Sequence, residues 1–309
     1  MPWRDRRSRP ARETAEQAVG ASRTLAGADP ATGEPWLAAA LDCLAHHLGR
    51  LDASADETRA LRELAGLYAR LAESRPDAYE PHLAAALDDL AFCLWRDGAH
   101  REALEAGKQS VVAYRRAAAR DAQAYEPELA RMLANLSVRR RDSDSPEAAV
   151  AHGREALAIT RRLAESAWAA FQPLTADRLR ILGRALRRAG DDAGALACFE
   201  EAETVLRELM GDGAGESYEA ALAATLSALA DNLRSMAEVH LTAGRADEAV
   251  SALRGLFALT RRADGSDVHA SCVTAFARAR AQAPDEVGRA WQRAMGKPFP
   301  SFVYRAPPA

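Results

Sequence analysis

One motif recurs along this 309-residue chain at a near-fixed spacing, and that period limits what the chain can fold into. Tyr79 opens YEPHLAAALDDLAFCLWRDG, Tyr125 opens YEPELARMLANLS, Phe171 opens FQPLTADRLRILGRALRRAG and Tyr218 opens YEAALAATLSALADNL. The openings stand 46, 46 and 47 residues apart, and one period upstream Gly33 precedes EPWLAAALDCLAHHL. A repeat of this length means stacked supersecondary units, each unable to bury its apolar face alone.

Within the unit, Leu83, Leu87, Leu90 and Leu94 fall at i, i+4, i+7 and i+11, one stripe of an amphipathic helix. Leu37, Leu41, Leu44 and Leu48 repeat it, as do Leu179, Leu182 and Leu186. Pro81, Pro127 and Pro173 stand where the stripe starts, a place where a helix can spare an N–H. The stripe stops near Gly98, Gly190 and Gly244, residues suited to a tight turn. A second helix then begins, with Ala103, Ala149, Ala195 and Ala249 at matching places. Each unit reads as an antiparallel helix pair.

The short first helix with L-x-x-L-A-x-x-L, the Gly turn and the small Ala early in the second helix resemble the tetratricopeptide repeat family. That family's unit is about 34 residues, so the extra length here falls mainly in the second helix and following loop. The pattern is similar to the long-repeat variety of kinesin light chains and of actinobacterial repeat arrays, over roughly residues 15 to 262. HEAT-type repeats, of about 40–47 residues, are the alternative, and the Gly turn and helix-two Ala favour the first reading. The resemblance implies an all-α fold, a right-handed α-solenoid of antiparallel helix pairs whose first helices line a concave groove for target peptides. Carried over position by position, that groove holds Asp42, His46 and Arg50, then Ala85, Asp88, Phe92, Trp95 and Arg96. Arg131 and Asn135 follow in the third unit, and Arg180, Arg184 and Arg187 form a basic stripe in the fourth. Where the family often carries an Asn pair, this chain has Asp88 and Asp89.

The expected organisation is a loose arm over residues 1–10, a half repeat over 11–32, and repeats starting near 33, 79, 125, 171 and 218. A helical cap and Pro-rich tail occupy 263–309. Ser54, three residues before Glu57, carries a capping-box signature for a second helix. Glu57 itself departs from the repeat, because other units have the small Ala there. Arg140 replaces a stripe leucine, which predicts that the third unit's first helix ends early and leaves a weak joint; Ser145-Pro146 then starts the next. In the fifth unit seven added residues amount to about two helical turns and keep Leu222, Leu226, Leu229, Leu233 and Met236 on one face. Val287, Trp291 and Met295 share a face that caps the stack, with Phe299, Phe302 and Tyr304 folding back onto it.

A net charge of −3 gives no argument for nucleic acid or membranes. Cys43, Cys93, Cys198 and Cys272 show no metal-like pairing and suit a reducing cytosol. The Arg-rich start lacks the apolar core of a signal peptide, so the expected setting is a bacterial cytoplasm. His46, His47 and Asp42 lack a further ligand for a metal. Walker, H-E-x-x-H, G-x-S-x-G and dinucleotide motifs are missing from the sequence. Neither metal, cofactor nor catalysis is expected. The reading is a protein–protein interaction scaffold holding a peptide or helix, with an acidic segment of the partner over the fourth unit. The alternatives are a regulatory arm of a signalling NTPase or protease system, and nucleic-acid binding through the basic stripe.

Overall fold

The computed structural model describes residues 3–51, 53–141, 145–211, 218–260 and 266–300, which form thirteen helices and no strand. In order they are α1 (Trp3–Ala28), α2 (Pro30–Arg50), α3 (Ser54–Ser74), α4 (Pro76–Arg96), α5 (His100–Arg120), α6 (Ala122–Arg141) and α7 (Pro146–Ser166). Then come α8 (Trp168–Arg188), α9 (Asp192–Gly211), α10 (Tyr218–Thr242), α11 (Ala246–Leu259), α12 (Ser266–Gln282) and α13 (Pro284–Met295). First helices begin at Pro30, Pro76, Ala122 and Trp168, and second helices at Ser54, His100, Pro146 and Asp192. The 46-residue period therefore holds for both members of four successive pairs.

The helices start three residues upstream of the repeated Tyr or Phe, which corrects the role read for the prolines. Pro35, Pro81, Pro127 and Pro173 lie inside their helices, while Pro30 and Pro76 take the first position. An internal proline forgoes one backbone hydrogen bond. The turn ahead of it is closed by Tyr79, Tyr125 and Phe171, whose N–H groups donate to the carbonyls of Arg75, Asp121 and Ala167 at 3.1–3.2 Å.

Three turns between paired helices, α4–α5, α8–α9 and α10–α11, share one chemistry. Gly98, Gly190 and Gly244 have φ of 80, 84 and 71°, a region that favours glycine. The N–H after each glycine reaches back five residues, Ala99 to Leu94, Asp191 to Leu186 and Arg245 to His240, at 2.8–2.9 Å. That is the Schellman closure of a helix end. Just beyond it Ala103, Ala149, Ala195 and Ala249 are fully buried, so the second helix lies close against the first.

The chain divides into two compact units, residues 1–136 and 137–309, with the boundary inside α6. Unit 1 packs the leucine stripes of α2 and α4 against Leu61, Leu64, Leu67 and Ala106 of the second helices. Here the buried Ser110 hydroxyl donates to the Ala84 carbonyl at 2.8 Å. Unit 2 packs Leu179, Leu182, Phe199, Leu229, Leu233, Leu253 and Leu256 into its own core. Its closing helix α13 buries Val287 and Trp291, and Phe299 folds back with ring centroids 5.2 Å from Phe276 and 5.4 Å from Trp291. Phe302 and Tyr304 lie outside the described residues.

Successive second helices are also laced by charge. Arg23–Glu63, Arg62–Glu102 and Arg161–Glu201 each join helices at a 40-residue offset. These pairs are about half exposed, so each contributes only about 0.2–1 kcal/mol. They fix register more than they add stability.

Three sequence expectations need correction. Residues 3–10, read as a loose arm, are part of α1. The third unit's first helix does not end early: α6 runs to Arg141, since one arginine on the stripe does not stop a helix of good propensity. The fifth unit's insertion is as read: α10 runs 25 residues from Tyr218, against 18 from Phe171 to the end of α8, seven more and about two turns. Ser54 makes no capping bond. Its hydroxyl goes instead to the Asp97 carboxylate, and Glu57 goes to Arg96, because ionised partners make stronger bonds than a neutral backbone group.

Gly33 marks the tightest approach in unit 1. A Cβ there would lie 2.2 Å from the Ala26 backbone nitrogen, with no flexible side chain to move aside. Gly33→Ala is expected to destabilise unit 1 by about 1–3 kcal/mol. Gly66→Ala, where the added methyl meets open space, should raise stability by up to ~1 kcal/mol. Urea melts of the two variants should therefore move in opposite directions.

Candidate partner-binding pocket

At the position where four other repeats bury an alanine, the first repeat has Glu57. A carboxylate does not fit between closely packed helices, and room for it comes from Gly49 on α2. A Cβ at Gly49 would sit 2.5 Å from Glu57 Oε1. The two departures form a matched pair. Glu57, with its side chain 14% exposed, is held by Arg96 at 2.7 Å, and Arg96 also donates to Ser54 at 3.1 Å. Burial, then the nearby Glu57 charge, push the Cys93 thiol up to about 12, so it stays protonated and unreactive.

Around this pair α2, α3 and α4 enclose a cavity of about 540 Å³. Asp42, Cys43, His46 and Arg50 line it from α2, Glu57 and Leu61 from α3, and Asp89, Phe92, Cys93 and Arg96 from α4. Phe92 is 59% exposed, and the Arg96 guanidinium lies 6.0 Å from its ring centroid.

Five of the residues expected to line a groove meet here: Asp42, His46, Arg50, Phe92 and Arg96. Asp88 does not. It is buried and accepts a 2.6 Å bond from Arg131, which also bonds Glu128 at 2.7 Å, while the neighbouring Asp89 faces the pocket. Trp95 is half-buried against the core and packs on His100, ring centroids 4.4 Å apart, over the Gly98 turn. Asn135 is half-buried on α6 and Ala85 is exposed on α4. Sequence reasoning missed Asp89, Cys43 and Gly49 as pocket residues. Glu57 was visible as a break in the pattern, and Gly49 eight residues before it was the companion sign.

The Asp89 carboxyl is pushed up to about 6, first by loss of hydration in the pocket, then by the charges of Asp88 and Asp42. Arg131 offsets part of this, and Glu57 adds to it. An acid whose folded pKa is raised keeps a proton that the unfolded chain gives up. Its contribution is best at pH below its ordinary value of 3.8 and is lost as pH rises through about 6. Asp89 remains exposed to solvent, which screens most of the effect. Asp89→Asn is therefore expected to stabilise the protein by about 1 kcal/mol at pH 7.5, and the gain should vanish near pH 4 in paired thermal melts.

In unit 2 the expected basic stripe on α8 carries its own counter-charges. Arg180 bonds Asp177 at 2.5 Å, Arg184 lies 3.7 Å from Asp231, and Arg187 bonds Glu238 at 2.8 Å. Glu238 also takes Arg278 at 2.6 Å and Arg234 at 3.3 Å. Burial alone would raise the Glu238 carboxyl, but hydrogen bonds from Arg187 and Arg278 outweigh it and hold the group below its ordinary value. The arginines thus tie α8, α10 and α12 together.

Among the described residues no group of three His, Cys, Asp or Glu side chains is placed to hold a metal ion. No described helix is long and apolar enough to cross a membrane.

The architecture defines the class: an all-α array of antiparallel helix pairs of the tetratricopeptide-like kind. Solved structures of that kind are similar to it. BtubC (BKLC) from P. vanneervenii has a TM-score of 0.57 at 18% identity, covering 84% of this chain and 92% of that one. A putative kinesin light chain of Podosopora anserina with nearly identical TPR-like repeats gives 0.53 at 16% identity, over 72% and 94%. The apo form of RapI gives 0.61 at 11% identity, over 90% and 68%. At these identities the likeness is one of fold. No family model and no curated protein matches the sequence.

Proposed function

We propose that the chain is a non-catalytic protein-interaction scaffold, and that the open face of α2 and α4 in unit 1 holds a peptide or helical segment of a partner protein. The observation that carries this reading is Phe92, a large aromatic 59% exposed at the mouth of a polar cavity, in a unit whose leucine stripes are buried. Exposed aromatics beside pockets are typical anchors of interfaces. Trp36, 63% exposed on α2, offers a second one. The α8 arginines, already paired, give an acidic segment less to bind than unit 1 gives a partner.

A peptide-display selection on the immobilised full chain tests the reading. Enriched peptides should bind the wild type and lose about tenfold or more in affinity on Phe92→Ala, with helicity unchanged. Selected peptides that bind both proteins equally would place the docking surface elsewhere.

A further inference from the structure

We propose that the cavity between α2, α3 and α4 is a recognition subsite for a cationic side chain, a lysine or arginine of the bound segment. Its charge would sit among Asp42, Asp89 and Glu57, with its stem against Phe92. This rests on the scaffold reading and specifies its chemistry.

The subsite is built rather than left over. Glu57 replaces an alanine that four other repeats bury, and Gly49 clears the space its carboxylate needs. A repeat that only had to pack would keep the small alanine at position 57, as the others do.

The balance of charge decides the occupant. Arg96 is committed to Glu57 and Ser54. Asp42 and Asp89 have no ion-pair partner among the described residues, and of the lining cations only Arg50, near the end of α2, is likewise without one there. Two uncompensated carboxylates thus face one guanidinium, with the Glu57 charge close behind. Asp89 holds its proton to about 6 first because the pocket strips its hydration, and then because like charges crowd it, from Asp88 on its own helix, Asp42 on α2 and Glu57 on α3, against Arg131 on α6. A cation supplied by a ligand relieves that crowding.

Size and surface agree. About 540 Å³ exceeds what one side chain fills and lies within the range of ligand pockets. The exposed Phe92 ring suits a lysine or arginine twice, through its apolar face for the methylene stem and its π-cloud for the charge.

The test is an amide-resonance titration of the isotope-labelled full chain with two capped pentapeptides, acetyl-Gly-Gly-Arg-Gly-Gly-amide and its glutamate counterpart. The arginine peptide should shift resonances within residues 42–50 and 89–96 and approach saturation on the order of 10 mM. The glutamate peptide should leave them in place. Asp42→Asn combined with Asp89→Asn should weaken the arginine response at least about fivefold, and the pair is safe to make because Asp89→Asn is expected to stabilise the fold. No pocket shifts with the arginine peptide, or equal shifts in the double variant, would overturn the assignment. Saturation of the pocket by the glutamate peptide would overturn it while leaving the scaffold reading intact. If display-selected peptides ignore Phe92→Ala, it is the placement of the partner on α2 and α4 that falls.

Discussion

Phe199→Ala is expected to lower the stability of unit 2 by about 3–5 kcal/mol, the largest effect of any single truncation considered for it. Phe199 on α9 is fully buried, and its ring fills the space left by Gly183 on α8, where a Cβ would lie 2.6 Å from Phe199 Cε1. The Asn232 amide donates to the Phe199 carbonyl at 2.7 Å, so α8, α9 and α10 meet at this one residue. Removing the ring leaves a cavity that three helices cannot all close. Because repeat arrays are stabilised by nearest neighbours, hydrogen exchange should accelerate in α8 to α10 while α3 and α4 keep their protection. Gly183→Ala should cost about 1–3 kcal/mol in the wild type but much less beside Phe199→Ala, where the methyl occupies vacated space. A loss under ~1 kcal/mol in a urea melt would mean the Phe199 site can collapse, against the packing described.

The second large effect concerns the Asp88–Arg131 pair. Arg131→Ala strands the Asp88 carboxylate, whose side chain is only 9% exposed, without its 2.6 Å partner. Breaking a buried pair costs about 3–5 kcal/mol, and since the arginine is itself 43% exposed the expected loss is about 2–3 kcal/mol. Replacing both members, Asp88→Asn with Arg131→Met, should recover most of it, because no orphaned charge remains. Arg62→Ala, which breaks only the exposed pair with Glu102, should change stability by less than ~0.5 kcal/mol. Equal losses from Arg131→Ala and Arg62→Ala would contradict the burial assigned to Asp88.

The period, the glycine turns and the buried alanines were legible because every repeat meets the same packing demand at the same offset. A residue such as Ala103 must be small whichever neighbour it faces. The site was legible only in part. Asp88 and Asp89 are adjacent, and a rotation of one residue about the helix axis decides which is buried; spacing alone does not set that rotation. Trp95 looked like a groove aromatic because it lies one turn from the exposed Phe92 side, yet its ring turns onto His100. Arg184 and Arg187 on α8 looked free because their partners on α10 lie beyond the interruption in the period, 51 residues away for Arg187 and Glu238. Side-chain pairing across such a break follows three-dimensional packing, which the repeat does not encode.

The most direct measurement is a hydrogen-exchange footprint of the full chain with and without a display-selected peptide at saturation. Slowed exchange should centre on α2 and α4, over residues 36–50 and 82–96, reaching α3 only at its pocket end near Glu57 and Leu61, and α5 should exchange as before. The footprint should disappear in Phe92→Ala at the same peptide concentration. Protection centred on α3 and α5, or on α8 in unit 2, would contradict the placement of the partner on the first-helix face of unit 1.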